Sequence, residues 1–92
     1  MLADMFAPSW SPAERTAFTA VQRACADAQI AGDLLELIYE TDVRDDLPRV
    51  RAPALVVHRD HDHAMRLRGA REVAALLPDA DLVTLQGDAH LP

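Results

Sequence analysis

The sequence predicts an α/β fold built on a strand–helix–strand unit with parallel strands. Residues 54–58 form a continuous apolar run, and residues 80–85 are a second predicted strand whose main apolar residues are Leu82, Val83 and Leu85. Between them, residues 66–77 carry apolar side chains at helical spacing. A strand followed by a helix and another strand of the same sheet requires a parallel crossover. Because the first run does not alternate, both faces of its strand are expected to be covered.

Length and composition limit the chain to one small domain. It has 92 residues, half of them hydrophobic and about a quarter charged. The net charge of −6 opposes nonspecific binding to nucleic acid and attraction to anionic membranes. No apolar segment is long enough to span a bilayer, and residues 1–8 lack the pattern of a signal peptide. The single cysteine, Cys25, cannot form an internal disulfide, so a cytoplasmic location is expected.

A first helix is predicted to follow a loose lead-in at residues 1–10. Ser11 can cap this helix, Pro12 suits its first position, and Glu14 completes a capping box. The helix is expected to run over residues 12–29. Its buried face is expected to contain the apolar residues at helical spacing, namely Phe18, Val21, Cys25 and Ala28.

A second helix and a connector are predicted before the first strand. Gly32 and Asp33 indicate a break in the helical pattern. A helix over residues 33–40 then turns its apolar side chains inward; these are Leu34, Leu35 and Ile38. Residues 42–53 are charged and hold two prolines, which favour an extended connector that feeds the strand.

An acid and a histidine follow the two predicted strands. Asp62 lies in the loop after residues 54–58, and His90 lies in the loop after residues 80–85. The carboxyl ends of parallel strands meet at one sheet edge, so the two side chains can pair there. In a hydrolase triad such an acid orients the histidine. Asp60 competes for the role of the acid. The alternative is that both aspartates are turn residues and His90 is a surface histidine.

These residues resemble the carboxyl-terminal half of the α/β-hydrolase fold. The similarity is strongest to bacterial hydrolases and to hydrolase domains found beside adenylate cyclase or transcription-regulator modules. It is carried by Asp42-Val43-Arg44, Leu47-Pro48, Val50, Pro53, Leu55-Val56-Val57-His58-Arg59, Asp62, Gly87 and His90. The resemblance implies a partial α/β-hydrolase fold, with a cap-like helical segment at residues 1–41 and a core segment at residues 42–92.

The resemblance also implies a chemistry. Asp62 takes the place of the triad acid in a pattern like His-Gly-x-x-Asp, and His90 takes the place of the catalytic histidine in a Gly-x-x-His pattern. The implied activity is hydrolysis of an ester, an amide or a similar bond in a small-molecule substrate that the sequence does not identify. No cofactor is implied.

Several departures from the family pattern affect this interpretation. The nucleophile motif Gly-x-Ser-x-Gly is absent, because the only serines are Ser9 and Ser11 and neither is flanked by glycine. Arg59 stands where glycine is common, and the chain stops before the usual final helix. The chain alone is therefore expected to be a truncated or inactive hydrolase. Another possibility is a non-enzymatic regulatory or interaction module that keeps the fold. The open edges of a two-stranded sheet also predict self-association.

A zinc hydrolase is the less favoured alternative. Three histidines and two aspartates fall within residues 58–63, in a pattern similar to the first metal motif of the metallo-β-lactamase fold. Zinc needs three or four nitrogen, oxygen or sulfur ligands, which this cluster could supply with or without His90. The other metal motifs of that fold are missing. The alternative to a metal site is that His61 and His63 are solvated loop residues.

Overall fold

The computed structural model describes residues 2–91 and divides them into two compact units. One unit combines residues 2–9 with residues 43–91, and the other consists of residues 10–42. The helices and strands, in chain order, are α1 (Leu2–Phe6), α2 (Pro12–Cys25), α3 (Ala28–Glu40), β1 (Ala54–Arg59), α4 (Leu67–Leu76) and β2 (Ala80–Leu85), with a 3₁₀ turn at Leu47–Arg49 before β1.

The parallel strand pair is present as predicted, which confirms the α/β class. β1 and β2 form a two-stranded parallel sheet in which Val56 lies opposite Leu82. Helix α4 connects the strands and packs on the sheet, and its Ala70 is buried. The carbonyl of Asp79 accepts a hydrogen bond from the backbone N–H of Ala54, which fixes the start of the ladder. The carboxyl ends of both strands therefore lie at one edge of the sheet.

The prediction that both faces of β1 are covered is wrong. Exposure alternates along the strand: Val56 is half-buried, whereas Leu55 is 63% exposed and Val57 is 50% exposed. Val83 and Leu85 of β2 share the exposed face. The apolar run predicted a strand with partners on two sides, but within the unit that contains the sheet only the face toward α4 is covered by a helix. We call Leu55, Val57, Val83 and Leu85 the open sheet face.

Helix α2 begins as the sequence predicts. The backbone N–H of Glu14 donates to Ser11 Oγ at 3.3 Å, and the N–H of Ser11 donates to Glu14 Oε2 at 2.8 Å. This reciprocal pair satisfies two of the donors that a helix start leaves without a partner.

The predicted break between the helices at Gly32 is wrong. Helix α2 ends at Cys25, and Asp27 caps α3 by accepting from the N–H of Ile30 at 2.9 Å. Gly32 lies inside α3, where no atom lies within 4 Å of an added Cβ. A carboxylate that satisfies an otherwise unpaired N–H defines a helix start, whereas one internal glycine costs only about 1 kcal/mol relative to alanine.

The predicted burial of one face on each amino-terminal helix is also wrong. No residue of α2 or α3 is buried, and Cys25, expected in a core, is exposed. Phe18 is half-buried and packs edge-on against Trp10, with ring centroids 5.6 Å apart. The apolar residues of these helices that are exposed include Val21, Leu34, Leu35 and Ile38. Helical spacing places apolar side chains on one face of each helix. It does not determine whether another part of the protein packs on that face and buries it.

The amino-terminal lead-in is more ordered than predicted. Residues 2–6 form helix α1, and Ala7 is fully buried. These residues belong to the sheet-containing unit, whereas the sequence analysis grouped residues 1–41 as one helical segment. Met1 and Pro92 lie outside the described residues. No helix within residues 2–91 combines the length and hydropathy needed to cross a membrane.

The open sheet face leads to a prediction about association. A contiguous apolar surface next to two unpaired strand edges favours pairing with another copy. We predict that the purified chain self-associates at roughly tens of micromolar, as marginal small domains with uncovered surface tend to do. Replacing both Leu55 and Val57 by Thr should shift the chain toward the monomer in sedimentation velocity experiments, because it makes the shared surface polar.

A matched control is Val21→Thr, which makes the same change at a residue of α2 that is 59% exposed. This variant should associate as the unmodified chain does. A wild-type chain that sediments as a monomer and unfolds in a sharp thermal transition would contradict the prediction. The prediction would also be contradicted if the sheet and helix substitutions changed the sedimentation equally.

Candidate functional site

Hydrogen bonds beyond the strand ends hold the two functional loops together. The N–H of Asp60 donates to the carbonyl of Leu85 at 2.9 Å, and the N–H of His61 donates to the carbonyl of Gly87 at 3.0 Å. The side chain of Asp60 adds a bond, since its Oδ1 accepts from the N–H of Gly87 at 3.1 Å. The loop after β1 and the loop after β2 therefore run side by side.

Asp62 is a buried carboxylate that its own loop holds in place. Its side chain is 2% exposed, and its Oδ1 accepts from the backbone N–H groups of Ala64 at 2.8 Å and Met65 at 3.0 Å. Burial by itself would raise the pKa of Asp62. The hydrogen bond from His90, the two backbone N–H groups and the charge of His90 outweigh burial and lower that pKa. Asp62 is therefore ionised at neutral pH.

His90 pairs with the other oxygen of this carboxylate. Its Nδ1 lies 2.7 Å from Asp62 Oδ2. A carboxylate only accepts hydrogen bonds, so the proton of the neutral imidazole is on Nδ1. Within residues 2–91, Nε2 has no hydrogen-bond partner, and the side chain is 30% exposed. The pair therefore presents an unprotonated, accessible nitrogen, which is the form required of a general base.

Asp60 does not compete for His90. Its Oδ1 lies 2.8 Å from His61 Nδ1 and also accepts from the N–H of Gly87. The hydrogen bond to His61 is the main cause that lowers the pKa of Asp60, which its partial burial opposes. The structure thus brings together Asp62 and His90, the two residues singled out by the sequence analysis, and gives Asp60 a role in joining the loops.

His58, at the end of β1, supports the same carboxylate. Its Nε2 lies 2.7 Å from the carbonyl oxygen of Met65 and 3.3 Å from Asp62 Oδ2. A carbonyl oxygen only accepts, so His58 donates from Nε2. The strand end is thereby tied to the loop whose N–H groups hold Asp62. The sequence analysis treated His58 as a strand end or a metal ligand and did not identify this contact.

Phe6 forms a wall of the site that the sequence analysis missed. Its ring lies 5.3 Å from the His90 ring, with a tilt of 42°, and its carbonyl accepts from the backbone N–H of His90. Ser9 Oγ donates to Asp88 Oδ1 at 2.7 Å. The only sequence signal was a group of apolar residues before Pro8, and this signal does not identify what they contact.

Arg59 binds the backbone on both sides of His90. Its Nη1 donates to the carbonyl oxygen of Ala89 at 2.9 Å and to that of Leu91 at 2.7 Å. In the sequence analysis Arg59 was only a departure from a family glycine. No pattern in the sequence indicates that its side chain reaches a loop thirty residues away.

An open cleft of about 280 Å³ reaches the acid–histidine pair. It is lined by residues of both strand ends and both loops: Val57, His58, Arg59, Asp62, Leu85, Ala89 and His90. The cleft includes part of the open sheet face, so the pair is accessible from the uncovered side of the sheet.

The metal hypothesis for residues 58–63 finds no support in the part of the chain that the structure describes. No group of three or more histidine, cysteine, aspartate or glutamate side chains there is arranged to hold a metal ion. His58 and Asp62 are used within the site, and His61 is bound to Asp60. These side chains pair with one another and with His90, and they do not form a set of ligands around one point.

Sequence comparisons show that the chain is similar to esterases. The chain is 34% identical over 58 residues to a pimeloyl-(acyl-carrier protein) methyl ester esterase of Xanthomonas oryzae pv. oryzae, a stretch that covers 63% of this chain and 23% of that protein. It is 35% identical over 83 residues to the esterase of the same name from Aromatoleum aromaticum, covering 85% of this chain and 33% of that one. It is also 33% identical over 86 residues to polyketide synthase ThaQ of Burkholderia thailandensis, covering 91% of this chain and 4% of the synthase.

The chain therefore has α/β-hydrolase-like esterase relatives, which confirms the coarse resemblance inferred from the sequence. It spans about a quarter to a third of the length of these esterases. No family model matches the chain, and no solved structure matches it. The more specific likeness to hydrolase domains beside cyclase or regulator modules stays a prediction.

The lowered pKa of Asp62 predicts how stability depends on pH. Since the pKa is lower in the folded than in the unfolded chain, the carboxylate stabilises the fold above the unfolded pKa. This contribution is lost as pH falls from about 5 through the folded pKa. At pH 7, Asp62→Asn should lower the free energy of unfolding by about 1–3 kcal/mol, and the difference from wild type should shrink on acidification. Urea denaturation monitored by circular dichroism measures the free energy of unfolding and its dependence on pH.

Asp81→Asn is the control, because Asp81 is an exposed carboxylate on β2. This variant should follow the wild-type stability at every pH. Parallel pH curves for Asp62→Asn and the wild type would show that the buried carboxylate does not stabilise the fold in this way.

Proposed function

We propose that this chain supplies the acid and the histidine of an α/β-hydrolase-type esterase. The observation that carries the proposal is the 2.7 Å contact between His90 Nδ1 and Asp62 Oδ2 at the carboxyl edge of two parallel strands. A fixed Nδ1 proton leaves Nε2 as the base, which is the arrangement that acyl transfer uses. The esterase relatives support an ester as the bond that is cleaved.

His90 is the proposed general base and general acid. Its Nε2 takes the proton of a nucleophilic hydroxyl as that oxygen attacks the ester carbonyl, and it then gives the proton to the leaving alkoxide. Asp62 stabilises the imidazolium that exists between these two transfers. Because Ala64 and Met65 hold the other carboxylate oxygen, Asp62 cannot rotate away from the ring without losing two hydrogen bonds.

The nucleophile is proposed to come from a Gly-x-Ser-x-Gly segment outside these 92 residues. Neither serine of the chain lies in such a motif, and Ser9 Oγ already donates to Asp88. The relatives are three to four times longer than the matched stretch, so they have room for this motif elsewhere. The name of these esterase relatives makes a methyl ester of a carrier-bound acyl chain the first substrate class to test.

The isolated chain is expected to be inactive. It should hydrolyse p-nitrophenyl acetate no faster than free imidazole at the same concentration, because a base without a nucleophile and an oxyanion hole gives little acceleration. Initial rates of the wild type and of His90→Ala, recorded by absorbance, provide the measurement. Turnover that is present in the wild type and lost in His90→Ala would contradict the expectation and indicate direct activation of water.

The role of each aspartate is best tested in a chimera. This chain replaces the matching stretch of the Aromatoleum esterase, whose remaining part then supplies the nucleophile. Asp62→Asn should lower kcat by up to roughly 10⁴-fold, because an asparagine amide facing Nδ1 favours the wrong tautomer of His90. Asp60→Asn should cost far less, since the amide oxygen can still accept from the N–H of Gly87.

The measurement is the rate at which the parent chimera and the two single variants hydrolyse a methyl ester substrate. It decides which aspartate is the triad acid. If Asp60→Asn is the inactive variant, Asp62 is not the triad acid. If the chimera is active and neither variant loses activity, the loop after β1 does not contribute the acid at all. His63→Asn is the matched control, because His63 is an exposed residue of the same loop.

A further inference from the structure

Side-chain donors complete the hydrogen bonding of the loop that carries His90. Residues 86–91 form neither helix nor strand, and among their carbonyl groups only that of Gly87 accepts a backbone hydrogen bond, from the N–H of His61. The carbonyls of Ala89 and Leu91, on either side of His90, both accept from Arg59 Nη1. Within residues 2–91, no other group bonds these two oxygens.

We propose that Arg59 is a positioning residue that holds the His90 loop so that Nδ1 of His90 meets Asp62. The inference rests on the proposed function in that it assigns His90 the role of base. Arg59 touches neither Asp62 nor the imidazole through a hydrogen bond; it acts on His90 through the backbone before and after it.

The geometry of the guanidinium explains why one nitrogen can bind both carbonyls. Nη1 carries two hydrogens that point in different directions within a rigid plane. Each of them meets one carbonyl, at 2.9 Å and 2.7 Å, so the distance between Ala89 O and Leu91 O is fixed by the plane. A lysine ammonium keeps the charge but not the planar fork, so it should hold the loop less well.

Gly87 accommodates the stem of the same arginine. Its φ is +132°, a conformation that residues with a Cβ rarely adopt. A Cβ at this position would lie 3.0 Å from Arg59 Cδ and 3.3 Å from Arg59 Nε. The loop therefore passes over the arginine with no space for a side chain, which shows that the loop and Arg59 fit each other closely.

The other contacts of this loop do not replace Arg59. Asp60 and His61 bind Gly87, three residues before His90, and Phe6 accepts from the backbone N–H of His90 itself. The bond to Phe6 holds the N–H side of the peptide group whose carbonyl oxygen, on Ala89, accepts from Arg59, so Arg59 restrains that group from its other side. Within the described residues, the carbonyl of Leu91 accepts from Arg59 alone.

The test measures the imidazole directly and does not need activity. Nitrogen-15 NMR of the 92-residue chain reports which ring nitrogen of His90 is protonated and how fast the Nδ1 proton exchanges with water. The background is Leu55→Thr/Val57→Thr, which is expected to be monomeric. In Arg59→Met, exchange of this proton should be at least about tenfold faster and the Nδ1–H tautomer less populated, because the loop opens locally more often. Arg59→Lys should restore part of the protection.

Arg71→Met is the matched control, because Arg71 is an exposed arginine of α4. It should leave the His90 signals unchanged, and the amide signals of β1 and β2 should show that each variant is folded. A folded Arg59→Met variant with wild-type exchange and tautomer would overturn the proposal. The same disturbance in Arg71→Met would also overturn it.

Arg59→Lys covers the case in which Arg59→Met does not fold. It keeps the positive charge but loses the planar fork, so the His90 proton should exchange faster than in the wild type; unchanged exchange would overturn the proposal. Asp62→Asn gives the reference spectrum of a His90 without its acid. Because none of these measurements uses turnover, an inactive chimera would count against the proposed function without affecting the result for Arg59.

Discussion

The buried carboxylate of Asp62 is the interaction on which the rest of the site depends. One oxygen is used by the backbone of its own loop, and the other is shared by His90 and, at a longer distance, by His58. A charge removed from water must be compensated by hydrogen bonds, so each of these partners has a defined place. A single ionised group therefore determines three features of the site through its hydrogen bonds. These are the conformation of its loop, the position of the end of β1 and the orientation of the His90 imidazole.

The site is well ordered although the hydrophobic core of the chain is small. Among residues 4–91, Ala7 and Ala70 are the only buried apolar residues, and the side chains of the open sheet face are exposed. Polar contacts at the strand ends are short-range and can be satisfied locally. Apolar burial needs opposing surface over a large area, which two strands and one helix cannot provide. Site geometry and overall stability are therefore supported by different parts of the molecule.

The sequence predicted correctly those features that follow from a general rule of α/β folds. The strand–helix–strand unit follows from apolar periodicity, and the meeting of Asp62 with His90 follows from the common edge of parallel strands. The break between the two amino-terminal helices was misplaced because Gly32 was taken as the end of the first helix, and the cap that Asp27 gives to α3 was not foreseen. Burial was overestimated because a pattern of apolar residues does not say what lies opposite. Arg59 was missed because it binds backbone carbonyls, which no residue pattern marks. Phe6 was missed because it lies in a segment that no motif connects to His90.

The bond between Ser9 and Asp88 has a consequence for the order in which the site forms. The β1–β2 pairing begins between Ala54 and Ala80, whereas Ser9 and Asp88 are separated by 79 positions. Closing the longer loop costs about 1 kcal/mol more chain entropy than closing the shorter one. The sheet and its acid–histidine loops can therefore assemble early, and the amino-terminal segment that carries Phe6 joins them last. The same segment should detach first under mild denaturation. The surroundings of His90 would then become exposed to water before the strands separate.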